Sequence, residues 1–177
     1  SHEVFDLIIV GGGINGASIA RDAARRGYRV ALLEQQDFGS GTSSRSSRLI
    51  HGGLRYLEQA QFALVFESLS ERARLAELAR HLVRPLPFVY PVYRKDKRRL
   101  ATVNLGLWIY DGLAMFRNYH AHQRLNPAEV LRVMPGMRAD GLLGGMRYFD
   151  YQTDDARLVL ENVLGASFAG AVALSYA

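Results

Sequence analysis

The 177-residue sequence predicts an α/β fold built on a doubly wound parallel sheet, with part of an α+β layer inserted into it. An apolar run at 6–10 leads through a glycine-rich turn into an alanine-rich helix expected at 14–26, and a second apolar run follows at 29–33. A strand, a helix and a second strand at this spacing are typical of a parallel βαβ unit. A last strand is expected at 171–175, where the chain returns to the sheet.

The glycine-rich turn reads Gly11-Gly12-Gly13-Ile14-Asn15-Gly16, the pattern of the dinucleotide-binding turn in Rossmann-like folds. In that pattern Gly11 permits the tight turn, Gly13 lets the backbone approach a pyrophosphate, and Gly16 lets the helix pack closely on the strand. The phosphates are then expected at the positive end of the helix. The alternative is a βαβ unit that contains a glycine turn and binds nothing.

Glu34 closes the second apolar run, about twenty residues beyond the glycines. A carboxylate at this place can accept hydrogen bonds from both ribose hydroxyls of an adenosine. It also disfavours a 2′-phosphate, so that NADP is the least expected dinucleotide.

The elements between the first and last strands alternate helices with strands. They are expected as a helix at 62–83, a strand at 88–93, a helix to about 116, a short helix from Asn126 to Pro135-Gly136, a strand at 144–151 and a helix from Asp154 or Asp155 to about Phe168. Asn126 is expected at the N-cap and Pro127 at the first helical position. Pro85 and Pro87 are expected to end the first helix, and Pro91 to confine its strand to a sheet edge.

The order of these elements predicts three segments. Residues 1–84 would form the cofactor-binding βαβ unit with its loop and following helix, 85–150 part of a substrate or cap layer, and 151–177 the return to the first domain. The chain is expected to be truncated, because it stops as it returns to the sheet.

The composition excludes several classes of site. The chain has no cysteine, so that disulfides, thiolate metal sites and cysteine nucleophiles are absent. Its net charge of +5 favours an anionic substrate or a lipid surface. Nucleic acid is not an expected partner, because no aromatic residues interleave with a basic platform. No secretory signal and no apolar run of about twenty residues is seen, and a cytoplasmic location is expected.

A longer polar segment carries the most specific signal. The run from Thr42 to Leu57, with the sequence TSSRSSRLIHGGLRYL, together with 11–17 and 154–158, resembles the FAD-dependent glycerol-3-phosphate dehydrogenases, the aerobic and quinone-linked flavoproteins. The resemblance covers essentially all of the chain and corresponds to roughly the N-terminal third of that family's sequence. It implies non-covalent FAD, oxidation of sn-glycerol 3-phosphate to dihydroxyacetone phosphate, and transfer of electrons to membrane quinone.

The residues themselves agree with a polar cofactor, because six of the residues from 40 to 47 are Ser or Thr and offer hydroxyl donors. The resemblance places 42–47 along the pyrophosphate and ribityl chain, and 49–53 at the isoalloxazine. The residues expected at FAD are Gly11, Gly13, Ile14, Asn15, Gly16, Glu34, Gln35, Thr42, Ser43, Ser44, Ser46, Ser47, Leu49, Ile50, His51, Gly52 and Gly53. Without the neighbouring glycine turn, the same segment would be interpreted as a solvated loop.

Three residues near the end of this segment have specific expectations. Gly52 and its neighbour Gly53 would let the backbone come close to a flat ring. His51 either lies beside the flavin or is satisfied by a backbone carbonyl in the loop, and it is not proposed as the general base.

Arg55 and Tyr56 are the candidates for binding the substrate. A guanidinium binds phosphate with two parallel hydrogen bonds and keeps its charge at all relevant pH values, and Tyr56 could hydrogen-bond beside it. The alternatives are a surface ion pair for Arg55 and a core position for Tyr56. No catalytic base is identified, since the resemblance implies one beyond residue 177, and the 177-residue piece alone is expected to be inactive.

Two other groups of polar residues are expected to be structural. His120 and His122 lie in a predicted loop with no adjacent acid, so no metal site is expected there. Asp154 and Asp155 are explained by a helix cap and an ion pair with Arg157.

The basic run at 94–99 precedes a hydrophobic helix that contains Trp108. This pattern fits attachment to an anionic lipid surface, on the inner face of the cell membrane, or a helix whose apolar face simply packs inside the protein. A homo-oligomer is possible. The alternative functions are a related FAD-dependent oxidase, acting on glycerol phosphate, amines or amino acids, and a non-catalytic membrane-binding piece; an NAD dehydrogenase is disfavoured by the hydroxyl-rich segment.

Overall fold

The computed structural model describes residues 4–177. In chain order its elements are β1 (Leu7–Val10), α1 (Ile14–Arg25), β2 (Val30–Glu34), a 3₁₀ turn (Thr42–Ser44), β3 (Leu49–Ile50), α2 (Leu54–Leu57), α3 (Phe62–Leu78), β4 (Arg84–Tyr93), α4 (Leu100–Leu113), β5 (Gln123–Leu125), α5 (Pro127–Val133), β6 (Leu142–Gln152), α6 (Asp155–Phe168) and β7 (Val172–Ser175).

The chain folds as two compact units, one formed by the residues up to Arg48 together with those from Thr153 onward, the other by residues 49–152. The sequence instead predicted divisions after 84 and after 150. The first division lies earlier because β3 pairs with β6 and because α3 contributes Arg72, which bonds Asp150 of β6.

The first unit contains a parallel sheet in the order β1-β2-β7. Its core joins Val30 and Leu32 of β2 with the alanines of α1 and with Val159 and Val163 of α6. The alanines, such as Ala17 and Ala20, are fully buried and their small side chains let helix, helix and strand approach closely. The predicted α/β class with a parallel sheet is confirmed.

The second unit contains an antiparallel sheet in which β6 lies between β4 on one side and β3 and β5 on the other. Among the described residues β4 pairs with β6 alone, which confirms the predicted edge position. Pro85, Pro87 and Pro91 alternate along β4, and a proline nitrogen has no hydrogen to donate. The three prolines therefore leave the outer edge of β4 unsuited to pairing with another strand.

The position of the helix before β4 differs from the prediction. α3 ends at Leu78 and not near 83, and β4 begins at Arg84, so that Pro85 and Pro87 lie inside a strand and do not terminate the helix. A residue that precedes proline is pushed toward extended backbone, which favours strand at Arg84 and Leu86.

The two predicted helix starts are confirmed. The Asn126 side chain accepts from the Glu129 backbone N–H at 2.9 Å, and the Glu129 carboxylate accepts from the Asn126 N–H at 2.8 Å, with Pro127 at the first helical position. Asp154 accepts from the Arg157 N–H at 3.2 Å and begins α6. α5 ends at Val133, shortly before the predicted Pro135.

No helix within residues 4–177 is long and apolar enough to cross a membrane.

Candidate functional site

The glycine turn between β1 and α1 needs glycine for three separate physical reasons. Gly11 has φ +105°, in the region that other residues rarely adopt. A Cβ on Gly16 would lie 1.9 Å from the carbonyl oxygen of Gly11, and one on Gly12 would lie 2.5 Å from the Phe38 ring. At Gly16 the turn is therefore packed against its own backbone, and Gly12, for which no role was predicted, is restricted by the Phe38 ring.

The carboxylate of Glu34 is held by the backbone of this turn. One of its oxygens accepts from the Gln36 N–H at 2.9 Å and the other from the Gly12 N–H at 2.7 Å. These two bonds, that from Gln36 first, lower the pKa of Glu34 below its usual range, so that the group is a fixed anion at neutral pH. Each oxygen keeps a second lone pair, which is what a ribose hydroxyl would need.

The hydroxyl-rich segment is fixed by bonds from its own side chains. Ser43 Oγ accepts from the Ile14 N–H at 3.1 Å and so caps the start of α1, leaving its hydroxyl hydrogen available to an anion. Ser44 Oγ donates to the carbonyl of Gly39, and Ser46 Oγ donates to the Asp155 carboxylate. These bonds hold the segment in place, so it is not a freely solvated loop.

A cleft of about 800 Å³ opens between the turn, β2 and the hydroxyl-rich segment. Ten of the predicted cofactor residues line it: Gly11, Gly13, Ile14, Asn15, Gly16, Glu34, Gln35, Thr42, Ser43 and Ser46. Ser44 and Ser47 were also predicted there, but neither is among its lining residues within the described chain. The volume is in the usual range for a cofactor site.

Eight further residues line the cleft that were not among the predicted cofactor residues: Ile9, Val10, Ile19, Gln36, Gly39, Ser40, Gly41 and Asp155. Asp155 is the most informative of them, because its carboxylate accepts from Ser46, which is 109 positions away. An ion pair with Arg157 was expected for Asp154 and Asp155. Instead, Asp154 caps α6, and Asp155 accepts a hydrogen bond from Ser46 within the first unit. The sequence signals were a second acid next to a helix cap and its place in 154–158, one of the segments that carry the resemblance.

Residues 49–53, which were predicted to face the flavin, lie in the second unit and form hydrogen bonds with other residues of that unit. Leu49 and Ile50 form β3 and pair with β6. The Gly52 N–H donates to the Tyr110 hydroxyl at 2.9 Å, and the Gly53 N–H donates to Nδ1 of His51 at 3.0 Å. Both glycine amides are therefore occupied by side-chain acceptors.

These bonds and the local packing add to what was expected of His51 and the two glycines. His51 is satisfied by a backbone N–H and not by a carbonyl, so that Nδ1 is the acceptor and the proton of the neutral ring lies on Nε2. A Cβ on Gly52 would lie 2.2 Å from Leu69 Cδ2, and one on Gly53 would lie 2.4 Å from the Tyr56 ring. Packing within the second unit, and not only approach to a ligand, demands glycine here.

Arg55 and Tyr56 both lie in α2, a single helical turn. The Arg55 side chain is exposed, and Tyr56 is 39% exposed with its ring against Gly53. Adjacent residues in a helix point in different directions, so one ligand contacts both only if it spans the turn. Their assignment to substrate stays a prediction.

His122 differs from its prediction, because it does have an adjacent acid. Its side chain is 4% exposed, Nδ1 lies 2.7 Å from the Asp111 carboxylate and Nε2 lies 3.1 Å from Asn104 Oδ1. His120 instead packs edge-on against the rings of Tyr119 and Phe149. Within the described residues no group of three His, Cys, Asp or Glu could hold a metal ion.

Comparison with known families agrees with this geometry. A family model described as FAD dependent oxidoreductase matches residues 6–177. The chain belongs to this family. The FAD dependent oxidoreductase class and the FAD cofactor predicted from the sequence are thereby confirmed, and the cleft of the first unit has the anion-binding helix start, the hydroxyl donors and the carboxylate that fit the adenosine diphosphate part of FAD.

Individual relatives confirm the resemblance seen in the sequence. The chain is 47% identical, over 96% of its length, to a glycerol-3-phosphate dehydrogenase of Mycobacterium leprae, and 47% identical, over 99% of its length, to one of Synechocystis. It spans 29% and 32% of those proteins. A solved glycerol-3-phosphate dehydrogenase from Bacillus halodurans, complexed with FAD, superposes with a TM-score of 0.70 at 36% identity, covering 99% of this chain and 27% of that one.

Proposed function

We propose that the protein containing this chain oxidises glycerol 3-phosphate to dihydroxyacetone phosphate with FAD as the first electron acceptor. The observation that carries the proposal is the 47% identity, over nearly the whole chain, to proteins named glycerol-3-phosphate dehydrogenase. The hydroxyl-rich cleft and its fixed carboxylate support it, because they supply what a dinucleotide requires.

The first unit would bind the adenosine diphosphate part of the cofactor. The free hydroxyl hydrogen of Ser43 and the start of α1 would face the pyrophosphate, and Glu34 would accept from the adenosine ribose. Asp155 also lies in the cleft, and its negative charge would direct the pyrophosphate toward α1 and away from α6.

Bound FAD would supply the acceptor for the hydride that leaves C2 of the substrate. The contribution assigned to this chain is binding and orientation: the exposed Arg55 guanidinium would hold the phosphate, and Tyr56 would hydrogen-bond beside it. The proton of the C2 hydroxyl would go to a base outside this sequence.

Membrane quinone is the proposed second acceptor, with the protein on the inner face of the cell membrane. α4 supports the membrane location, because some of its apolar residues are buried and others are exposed. Val103 and Leu107 are buried, while Leu105, Trp108 and Ile109 are exposed. Exposed apolar residues beside the basic turn at 94–99 are the combination expected of a helix that lies on an anionic lipid surface.

The proposal is tested on the full-length, FAD-loaded protein by adding glycerol 3-phosphate without oxygen and recording the visible flavin band. We expect the band to bleach, and to stay unchanged with glycine or with glycerol 2-phosphate. A flavin band that ignores glycerol 3-phosphate but bleaches with an amine or amino acid would contradict the proposal and identify another oxidase.

The second acceptor and the membrane site need separate measurements. Reoxidation by a soluble quinone analogue that is much faster than by oxygen supports quinone, whereas stoichiometric peroxide in air contradicts it. Co-sedimentation with anionic vesicles should fall in a Lys97→Gln, Arg99→Gln variant; Arg98 is left in place because it bonds Glu58 and Tyr90. Unchanged co-sedimentation would contradict the lipid role of this turn.

A further inference from the structure

The strongest unassigned feature is a buried polar cluster in the second unit, formed by Arg72 of α3, Tyr110 of α4 and Asp150 of β6. Their exposed fractions are 1%, 0% and 4%. A buried ion pair is expensive to remove from water, and replacing it by apolar residues often stabilises a protein. A cluster of this kind therefore calls for an explanation beyond stability.

Two donors of the cluster share one acceptor, the Asp150 carboxylate. Arg72 donates to the Asp150 carboxylate, and the Tyr110 hydroxyl donates to the same carboxylate at 2.8 Å. Burial, and then the charge of Asp150, raise the pKa of Tyr110, so that its proton stays on the oxygen. A tyrosine that donates to a carboxylate can still accept, and the Tyr110 hydroxyl accepts from the Gly52 N–H at 2.9 Å and from Arg72 at 3.3 Å.

The end of this chain of bonds is a backbone amide in the segment 51–53. Gly52 N lies 2.9 Å from the Tyr110 hydroxyl and 3.5 Å from Asp150 Oδ1, and both contacts are buried. Gly52 has no room for a side chain, because Leu69 and the Tyr110 hydroxyl occupy that space. The cluster thus fixes Gly52 by sterics and by a charge-supported hydrogen bond together.

Arg72 is also held by residues outside the cluster. Arg72 donates to the carbonyl of Phe149 at 3.3 Å and to the side chain of Asn118, which in turn donates to Asp111. Arg72 therefore cannot rotate away from Asp150 without also breaking its bonds to Phe149, Asn118 and the Tyr110 hydroxyl. The acceptor presented to Gly52 is accordingly held in one place.

We propose that Arg72, Tyr110 and Asp150 are positioning residues that set the backbone of residues 51–53 for the flavin ring. The inference rests on the proposed function, since the placement of 51–53 at the isoalloxazine comes from the family resemblance. The three residues act through Gly52 and touch neither cofactor nor substrate. Because the Gly52 and Gly53 amides are both occupied, neither is left to donate to the ring.

The test compares Tyr110→Phe with Tyr148→Phe in the full-length, FAD-loaded protein. Tyr148 packs edge-on against Tyr110, with ring centroids 6.3 Å apart, so the control removes a hydroxyl from the same layer and leaves both acceptors of Gly52 in place. The readouts are the visible flavin spectrum and the reduction potential measured by equilibration with redox dyes, which needs no substrate. We expect Tyr110→Phe to shift both and the control to shift neither. Equal behaviour of the two variants would overturn the proposal.

Amide hydrogen exchange at Gly52 gives a second test, and its wild-type measurement does not depend on a variant folding. In the wild-type protein the Gly52 amide should exchange as slowly as the amides of β6, and Tyr110→Phe should accelerate it roughly tenfold, the loss expected for one hydrogen bond. Exchange at the rate of an exposed loop in the wild type would overturn the proposal. If glycerol 3-phosphate fails to reduce the flavin while these results hold, the substrate assignment fails and the positioning role stands.

Discussion

The cleft of the first unit and the buried cluster of the second are both polar, but they use their hydrogen bonds in opposite ways. In the cleft, backbone amides hold Glu34 and Ile14 holds Ser43, and each side chain keeps a lone pair or a hydrogen for a ligand. In the cluster, Arg72, Tyr110 and Asp150 bond one another and a backbone amide. Glu34 and Ser43, which backbone amides hold, therefore stay available to a cofactor, whereas the side chains of the cluster are occupied by one another.

The largest effect on stability is predicted for the buried cluster. Asp150→Ala leaves the Arg72 charge buried without its partner, and the free energy of unfolding should fall by about 3–5 kcal/mol. Urea unfolding measures the change. Glu58→Ala is the control, because it breaks the ion pair with Arg98, in which both side chains are about half exposed, and should cost much less. Equal losses in the two variants would remove the distinction between the buried cluster and a surface pair.

A smaller loss is expected at the cleft. Gly16→Ala places a Cβ 1.9 Å from the Gly11 carbonyl oxygen, which forces α1 away from β1 and should cost roughly 1–3 kcal/mol as well as weaken FAD binding. The matched control is Gly41→Ala, in the same cleft, where a Cβ meets nothing within 4 Å and φ is −80°. Thermal unfolding without FAD measures the loss of stability, and unfolding with FAD measures the loss of binding. If Gly16→Ala binds FAD as well as Gly41→Ala does, the packing argument is contradicted.

A helix cap in the second unit gives a local effect of about 1 kcal/mol. Asn126→Ala removes the acceptor of the Glu129 N–H and should lower the free energy of unfolding by that amount. Asn126→Asp keeps an acceptor and should stay close to the wild type. The urea midpoint is the measurement, and a neutral Asn126→Ala would show that tertiary packing alone holds α5.

The smallest effect concerns pH and belongs to the first unit. Bonds from the Arg29 side chain and backbone lower the pKa of Asp6 to about 2. Because the folded pKa lies below the unfolded value, the contribution of Asp6 is present above about pH 4 and is lost as the pH falls toward 2. Asp6→Asn should therefore lower the stability at pH 7, where the pair with Arg29 is present, and flatten the acid side of the stability curve, so that the variant and the wild type converge as the pH falls toward 2. An unchanged acid slope would contradict this role.

The sequence predicted what depends on near neighbours along the chain. The glycine turn, the Asn126-Pro127 start of α5 and the Asp154 cap each involve residues within a few positions, and their chemistry identifies them. The prolines at 85 and 87 were misassigned, since proline is compatible with both the end of a helix and an edge strand. The missed residues have distant partners: Asp155 bonds Ser46 over 109 positions and Arg72 bonds Asp150 over 78. Nothing in one sequence specifies such pairs.

Binding of FAD by the turn and Glu34 of the first unit is the proposed role of the cleft. It is tested most directly by titrating the flavin-free, full-length protein and its Glu34→Gln variant with FAD and with riboflavin 5′-phosphate, which lacks the adenosine. Glu34→Gln should weaken FAD binding by at least about tenfold, the loss expected for a bond to a charged group, and leave the binding of riboflavin 5′-phosphate unaffected. Equal FAD affinity in the two proteins, or an equal loss for both ligands, would contradict it.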